Sequence, residues 1–143
     1  MMAGIRSIVA VAGGLFAISA ISEGVEFALV TYANGGPILD PSEAERYFAI
    51  RNQLPILVSK FVYNGFAALA GGYVAVMIAQ RHATVHGVAL AVVQAAFLAW
   101  GMLWSAHAGK TPAWVWMGLI PLMSAATVMG ARMRARHARG VVT

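Results

Sequence analysis

The sequence contains no cysteine and few charged residues, and both scarcities exclude classes of protein. Without cysteine the chain forms no disulfide and offers no thiolate as a nucleophile or metal ligand. Charged residues make up 10% of the 143 positions, against about a quarter in ordinary soluble domains. Hydrophobic residues make up 60%. This composition excludes a disordered chain and an ordinary soluble domain, and it favours a membrane protein.

Four apolar runs are long enough to cross a lipid bilayer, which takes about 20 predominantly apolar residues. They cover residues 8–32, 56–79, 85–105 and 113–131. We therefore predict an all-α fold, an integral membrane bundle of four transmembrane helices that forms a single domain over residues 1–143, with a basic cytoplasmic tail at 132–143. The first run also has features of a secretory signal, but apolar sequence resumes after Ser22, so we expect this run to be retained.

The basic residues are divided unevenly between the two ends of the predicted bundle. One end carries Arg6, Arg81, Arg132, Arg134, Arg136 and Arg139. The other end carries Arg46, Arg51 and Lys110, together with the acidic residues Asp40, Glu43 and Glu45. We expect a multi-pass protein of the cell inner membrane, and the positive-inside rule predicts that both of its termini lie in the cytoplasm. A basic tail beside an apolar run is typical of contact with anionic lipid, so we expect the lipid bilayer, and not nucleic acid, as a partner.

The longest predicted connection, residues 33–55, lies between the first two spans. Asp40 is a suitable helix N-cap, and it is followed by a proline at the first helical position and by an acidic first turn. Residues 42–53 then carry apolar side chains at helical spacing. We predict a short amphipathic helix that lies at the outward membrane interface before the second span.

Small residues recur every four positions in two of the spans. One stripe comprises Ala67, Gly71, Ala75 and Ala79, and the other comprises Gly87, Ala91, Ala95 and Ala99. Such stripes let helix backbones approach closely inside a membrane. We expect the two stripes to pack against each other or against the first span. Pro121, in the middle of the fourth span, is expected to kink that helix.

Three charged residues lie inside the predicted spans. Glu23 and Glu26 are three residues apart and so share one face of the first span, while Lys60 lies at a matching depth in the second. A charge in the hydrocarbon region is costly, so it needs a partner. Three interpretations are open: a structural Glu–Lys pair with Tyr63, Asn64 or Ser59 completing the hydrogen bonds, a proton or cation relay, or carboxylates solvated by headgroup water.

Two amide side chains complete the candidate ligand or ion site. Asn64 lies one helical turn beyond Lys60, and Gln94 stands alone near the middle of the third span. An isolated amide in a span usually hydrogen-bonds to another helix, although it can also contact a ligand. The candidate site residues are therefore Glu23, Glu26, Lys60, Asn64 and Gln94. We predict no catalytic residue.

The histidines do not predict a metal or haem site. His82 and His86 are four residues apart, but no third ligand is near them in the sequence. His107 lies at the opposite end of the third span from His86, so the two cannot ligate one haem. We therefore expect no metal and no cofactor.

One pattern of residues extends from the second span to the end of the fourth. It consists of Ala70-Gly71-Gly72-Tyr73-Val74-Ala75, then Arg81 and His86, then Pro112-Ala113-Trp114, Pro121 and Gly130-Ala131-Arg132. This pattern resembles one that is common in small bacterial four-helix transmembrane proteins of unassigned function. The resemblance covers about residues 65–134. It implies the four-helix architecture and no activity.

A second pattern lies just before the second span. It reads Glu45-Arg46-Tyr47-Phe48-Ala49-Ile50-Arg51-Asn52 and leads through a proline into the span. It is similar to the second-helix motif of the MAPEG family, four-helix trimeric enzymes that bind glutathione. The match departs in three ways: the spacing from Arg46 to Asn52 is one residue short, the glutamate expected after the asparagine is absent, and the predicted orientation puts the motif on the outer side. The resemblance implies Arg51 and Asn52 as contacts of glutathione.

These observations lead to three hypotheses for the function. The first is a non-catalytic integral membrane protein that acts as a packing or accessory component of a homo-oligomer or membrane complex, because the spans carry small-residue faces. The alternative is a small transporter or channel for protons, cations or a small solute that uses Glu23, Glu26 and Lys60. The third is a glutathione-dependent membrane enzyme of the MAPEG type.

Overall fold

The structure, a computed structural model, describes residues 2–80, 82–105 and 108–140. The described chain is all helical. Its elements are α1 (Met2–Ala33), a 3₁₀ turn (Pro41–Glu43), α2 (Ala44–Arg51), α3 (Leu54–Ala79), α4 (Ala83–Trp104) and α5 (Ala113–Gly140). Four of these helices have stretches long and apolar enough to cross a membrane: Gly4–Ala33, Leu54–Ala79, Ala83–Trp104 and Ala113–Ala138. The prediction of an all-α chain with four such helices is confirmed.

Apolar side chains cover much of the surface of the four long helices. Large exposed residues include Phe16 on α1, Phe66 on α3, Phe97 on α4 and Met117 on α5. A soluble protein rarely exposes so much contiguous apolar surface. This surface is what a helix bundle presents to lipid, and it agrees with a multi-pass membrane protein.

The predicted basic tail is part of α5. The helix continues beyond Ala131 to Gly140 because residues 132–139 contain neither glycine nor proline and are rich in the strong helix formers alanine and arginine. The Arg134 guanidinium also lies over the Tyr73 ring of α3, 5.8 Å from its centroid, which holds this part of α5 against the bundle. Arg81, which contributes to the predicted orientation, lies outside the described residues, as do residues 141–143.

Two further local predictions concern the start of the helix after Asp40 and the proline within α5. The 3₁₀ turn and α2 begin where the sequence predicts: Asp40 accepts a hydrogen bond from the Ser42 amide at 2.8 Å, and Glu43 accepts one from the Asp40 amide at 3.2 Å. α5 is one continuous helical element that contains Pro121. The kink expected at Pro121 stays a prediction.

Helix α3 lies at the centre of the bundle, between α1 and α5. A methyl group added at Gly71 would lie 2.7 Å from the Gly14 carbonyl oxygen of α1. On the other side of α3, a methyl added at Gly72 would lie 2.0 Å from the Thr127 carbonyl oxygen of α5. A methyl at Gly130 of α5 would reciprocally lie 1.9 Å from a carbonyl oxygen of α3. The three backbones approach so closely that only glycine fits.

One small-residue stripe packs as expected and the other does not. The stripe of α3 that includes Gly71 is buried and faces α1. The stripe of α4 was expected to face that stripe or α1, which is wrong: a methyl added at its first residue, Gly87, would lie 2.5 Å from the Ala131 Cβ of α5. The reason is that α5 has its own small residue, Ala131, opposite Gly87, so these two helices can pack closely.

Polar contacts also close the end of the bundle at which the chain begins. Arg6 Nε donates to the Ile78 carbonyl oxygen at 2.8 Å, in the last turn of α3, where carbonyl groups lack helical partners. The His86 ring lies 3.0 Å from Ser7 Oγ and 3.1 Å from the His82 carbonyl oxygen. His86 therefore connects α4 to α1. In the part of the chain that the structure describes, no group of three His, Asp or Glu side chains is placed to hold a metal ion.

Candidate functional site

Glu26 on α1 is the centre of a buried hydrogen-bonded cluster, and it is only 7% exposed. Its Oε1 accepts hydrogen bonds from Arg51 Nε and, at 3.1 Å, from the Tyr47 hydroxyl. Its Oε2 accepts from Lys60 Nζ and, at 3.0 Å, from the Tyr63 hydroxyl. Two cations and two hydroxyl groups thus surround one carboxylate. We call Glu26, Tyr47, Arg51, Lys60 and Tyr63 the Glu26 cluster.

The spacing of the donors along their helices explains how the cluster forms. Tyr47 and Arg51 are four residues apart on α2, and Lys60 and Tyr63 are three apart on α3, so each pair projects from one helix face. Each pair donates hydrogen bonds to a different carboxylate oxygen of Glu26. Since α2 has no buried residue of its own, these polar contacts hold it against α1.

A second layer of contacts ties α2 to the segment that precedes α5. Arg51 Nη1 donates to Thr111 Oγ1 at 2.7 Å, and the Asn52 amide donates to the Lys110 carbonyl oxygen. Lys110 Nζ in turn donates to Glu45 Oε1 at 2.9 Å. The hydrogen bond and charge of Lys110 lower the pKa of the exposed Glu45 carboxyl. These contacts place Arg51 between the Glu26 carboxylate and Thr111.

Tyr47 remains a hydrogen-bond donor throughout the physiological pH range. Burial raises the pKa of its phenol, and the neighbouring Glu26 carboxylate raises it further, because a phenolate there would face a second negative charge. The hydroxyl proton is therefore held for donation to Glu26.

The structure brings together only some of the candidate residues named from the sequence. Glu26 and Lys60 form an ion pair. Asn64 does not reach Glu26, since its amide donates to the Lys60 carbonyl oxygen at 2.9 Å. Gln94 lies deeper in the bundle, where its Oε1 accepts from the Thr127 hydroxyl at 2.9 Å.

The sequence analysis did not assign Tyr47 or Arg51 to this cluster. Arg51 was taken as a basic residue of the connection, because nothing in the sequence shows that α2 folds back onto α1. One signal was present: the two residues are four apart, beside a span that carries a carboxylate. Tyr63, in contrast, was expected with Asn64 or Ser59 to complete the hydrogen bonds of the Glu–Lys pair, and it does donate to Glu26.

Two cavities adjoin the cluster. The loop-side cavity has a volume of about 460 Å³ and lies between α1, α2 and the adjacent ends of α4 and α5. The bundle cavity has a volume of about 450 Å³ and lies among the four long helices. The polar residues of the loop-side cavity include Glu23, Glu26, Tyr47, Arg51 and Thr111. Those of the bundle cavity are Ser19, Ser22, Glu23, Asn64 and Gln94.

Glu23 lines both cavities. Unlike Glu26, its carboxylate is exposed, and it has no hydrogen bond or ion pair with any residue that the structure describes. It lies one helical turn from Glu26 on the same face of α1. The two carboxylates therefore differ in their contacts: Glu26 is held by hydrogen bonds and ion pairs, whereas Glu23 lies against the two cavities and interacts with Arg51 and Lys60 only through their charges at longer range.

The bundle cavity also contains polar atoms that lack partners. Gln94 is only 4% exposed, and its Nε2 finds no acceptor among the described residues. The buried Ser22 Oγ is likewise unpaired within the described chain. A buried donor without a partner costs about 1–3 kcal/mol unless a water or ligand satisfies it. The bundle cavity is thus suited to a polar occupant.

Comparison of the chain with protein-family models, curated proteins and solved structures gives no match.

Proposed function

We propose that the chain is a small membrane transporter or channel for protons or small cations, with Glu23 as the carboxylate that takes up and releases the ion. The observation that carries this proposal is the place of Glu23 in the walls of both cavities. A carboxylate at such a junction can receive an ion from the loop-side cavity and pass it into the bundle cavity. Intramembrane carboxylates that face a cavity commonly serve ion and proton pathways.

The difference between the two glutamates supports this division of roles. Glu26 is neutralised by Arg51 and Lys60, so it is not available to a transported cation. Glu23 forms no ion pair or hydrogen bond with a described residue, and Arg51 and Lys60 act on it only at longer range. Beyond it, Ser22, Asn64 and Gln94 offer polar groups along the bundle cavity. In this proposal the Glu26 cluster is the rigid support, and Glu23 is the ion-binding group.

The test measures ion flux in liposomes that contain the purified chain. A trapped pH indicator reports protons, and trapped fluorescent indicators report Na⁺ and K⁺. We expect the wild-type chain to dissipate at least one of these gradients faster than protein-free liposomes do. Glu23→Gln should reduce the rate to that of protein-free liposomes, because the amide cannot exchange a proton or neutralise a cation.

Glu45→Gln is the matched control, because Glu45 lines neither cavity in the part of the chain that is described. It should conduct as the wild type does. Glu23→Gln should also retain the helix content of the wild type in detergent, measured by circular dichroism, since Glu23 makes no hydrogen bond or ion pair with a described residue. Wild-type flux equal to that of protein-free liposomes for all three ions would contradict the transport function. Unchanged flux in Glu23→Gln would contradict the role of Glu23.

The packing or accessory component, which was the first hypothesis from the sequence, is the second candidate. One observation favours it: the exposed Glu23 carboxylate would suit a basic group supplied by a neighbouring chain. One observation weighs against it, because the small-residue faces at Gly71 and Gly87 are used within the chain. A chain that folds, conducts no ion and runs as an oligomer in detergent would support this candidate over transport.

A glutathione-dependent enzyme gains no support from the geometry. Arg51 Nε and Nη1 already donate to Glu26 and Thr111, and the Asn52 amide donates to a backbone carbonyl. The two residues that the MAPEG resemblance implies as glutathione contacts thus make hydrogen bonds within the chain.

We also propose that the chain lies in a bacterial inner membrane with both termini in the cytoplasm. The basic residues Arg6, Arg132 and Arg136 lie at the end where the chain begins and ends, and the five acidic residues all fall between positions 23 and 45. In this orientation α2 and the loop-side cavity face outward.

The absence of cysteine makes this orientation simple to test. Single cysteines are introduced at two exposed positions, Ile38→Cys before α2 and Ala138→Cys near the end of α5. In intact spheroplasts a membrane-impermeant maleimide should label the first cysteine and not the second, which should react only after lysis. The reverse pattern would overturn the proposed orientation.

A further inference from the structure

A groove runs along the surface of the bundle between α4 and α5, at the end opposite the Glu26 cluster. It has a volume of about 760 Å³. Its walls are mostly apolar and include Val88 and Val92 of α4 and Val128, Met129 and Met133 of α5. Most of these side chains are exposed. The groove thus offers an elongated apolar surface on the outside of two long helices.

Two arginines, Arg132 and Arg136, lie at one end of this groove. They are four residues apart on α5 and so project from one helix face. Both also line an adjoining cavity of about 460 Å³, whose opposite wall is the first turn of α4. Neither the groove nor the cavity has an acidic residue among the described residues that line it. The two guanidinium groups therefore face both spaces without a counter-charge there.

The first turn of α4 adds to this positive potential. α4 is 22 residues long, and the residue before it, His82, makes no side-chain capping hydrogen bond. The backbone N–H groups of the first turn are consequently open to an acceptor, and they carry the positive end of the helix dipole. Arginines together with a helix start favour a phosphate group.

We propose that this groove binds an anionic phospholipid, with the phosphate between Arg132, Arg136 and the start of α4 and an acyl chain along the apolar walls. The charged end and the apolar groove share both arginines, so one molecule can occupy both. A free phosphate would fill only the charged end and leave the apolar part unused. The match of one charged end with one long apolar surface therefore favours a lipid.

The test is native mass spectrometry of the purified chain with added phosphatidylglycerol or phosphatidylcholine of identical acyl chains. We expect the wild type to retain phosphatidylglycerol at least about tenfold better, since each arginine near an anionic headgroup contributes favourably. The double variant Arg132→Gln with Arg136→Gln should lose this preference. Val92→Trp, on the exposed wall of the groove, should weaken the binding of both lipids by filling the acyl-chain space.

Arg46→Gln is the matched control, because Arg46 lies on α2, at the other end of the bundle, and lines neither the groove nor the adjoining cavity. It should keep the wild-type preference, and circular dichroism should show equal helix content in all variants. Equal binding of the two lipids by the wild type, or an equal loss in Arg46→Gln, would overturn the proposal. Binding of inorganic phosphate with neither lipid retained would show a phosphate site only, and would overturn it as well.

Discussion

Gly72→Ala is expected to destabilise the chain by about 3 kcal/mol, at the upper end of what overpacking usually costs. The added methyl would lie 2.0 Å from the Thr127 carbonyl oxygen and 2.8 Å from its carbonyl carbon. These are backbone atoms of α5, which cannot rotate away as a side chain can. Helices α3 and α5 must therefore move apart along their contact. Gly130→Ala should have a similar effect, because its methyl would lie 1.9 Å from the Leu69 carbonyl oxygen.

Gly65→Ala, in the same helix, is the control. Its added methyl would meet only Leu122 Cδ2, at 3.9 Å, which is an ordinary van der Waals contact. We expect Gly65→Ala to be as stable as the wild type or slightly more stable, because alanine is the better helix former. The measurement is unfolding in a mixed micelle, followed by circular dichroism. Equal midpoints for Gly72→Ala and Gly65→Ala would show that α3 and α5 do not approach as closely as described.

Glu26→Gln is expected to cost about 3–5 kcal/mol, the range seen when one partner of a buried ion pair is removed. Lys60 is only 2% exposed, and it would lose the carboxylate that pairs with its ammonium group. The NH₂ group of the glutamine would also replace a carboxylate oxygen that accepts hydrogen bonds, and it would face donors, since all four groups around Glu26 donate to it. We expect α2 to detach from α1, because its contacts with α1 converge on this carboxylate.

A second substitution separates this electrostatic effect from a loss of shape. Lys60→Met removes the buried cation, so Glu26→Gln combined with Lys60→Met should be more stable than Glu26→Gln alone. Glu45→Gln is the control, because the Glu45 side chain is 94% exposed and solvent screening leaves its ion pair with Lys110 little effect on stability. A double variant no more stable than Glu26→Gln would contradict the role of charge pairing in the cluster.

The positions of the long helices follow from local sequence. In lipid, the backbone polar groups of each apolar run must be hydrogen-bonded within that run, and a helix achieves this. The run therefore forms a helix whatever its neighbours are. The predicted run 56–79 and the observed α3, Leu54–Ala79, differ only by the helix start, where Pro55 occupies an ordinary first-turn position. At the end of α5 the prediction was too short, because arginine lowers hydropathy without opposing helix formation.

The candidate site was only partly predictable. Glu26 and Lys60 stand out because a charge in an apolar run needs a partner, and their depths match. The difference between Glu26 and Glu23 does not follow from the sequence, since the two are equivalent there. It depends on where α2 lies, because Tyr47 and Arg51 reach only one of the two carboxylates.

The sequence by itself determined that the chain is all helical, that it has four helices suited to lipid, and that a few charged residues are costly exceptions within them. These are properties of single segments, and composition and periodicity suffice for them. Only the tertiary structure decided that α3 lies between α1 and α5 and that Gly72 of α3 packs against the backbone of α5. It also decided that Glu26 is buried among hydrogen-bond donors while Glu23 lines two cavities. Those outcomes depend on which faces of the helices pack together. The small-residue stripes allow several ways of pairing the helices, and the packing of all the helices at once selects one of them.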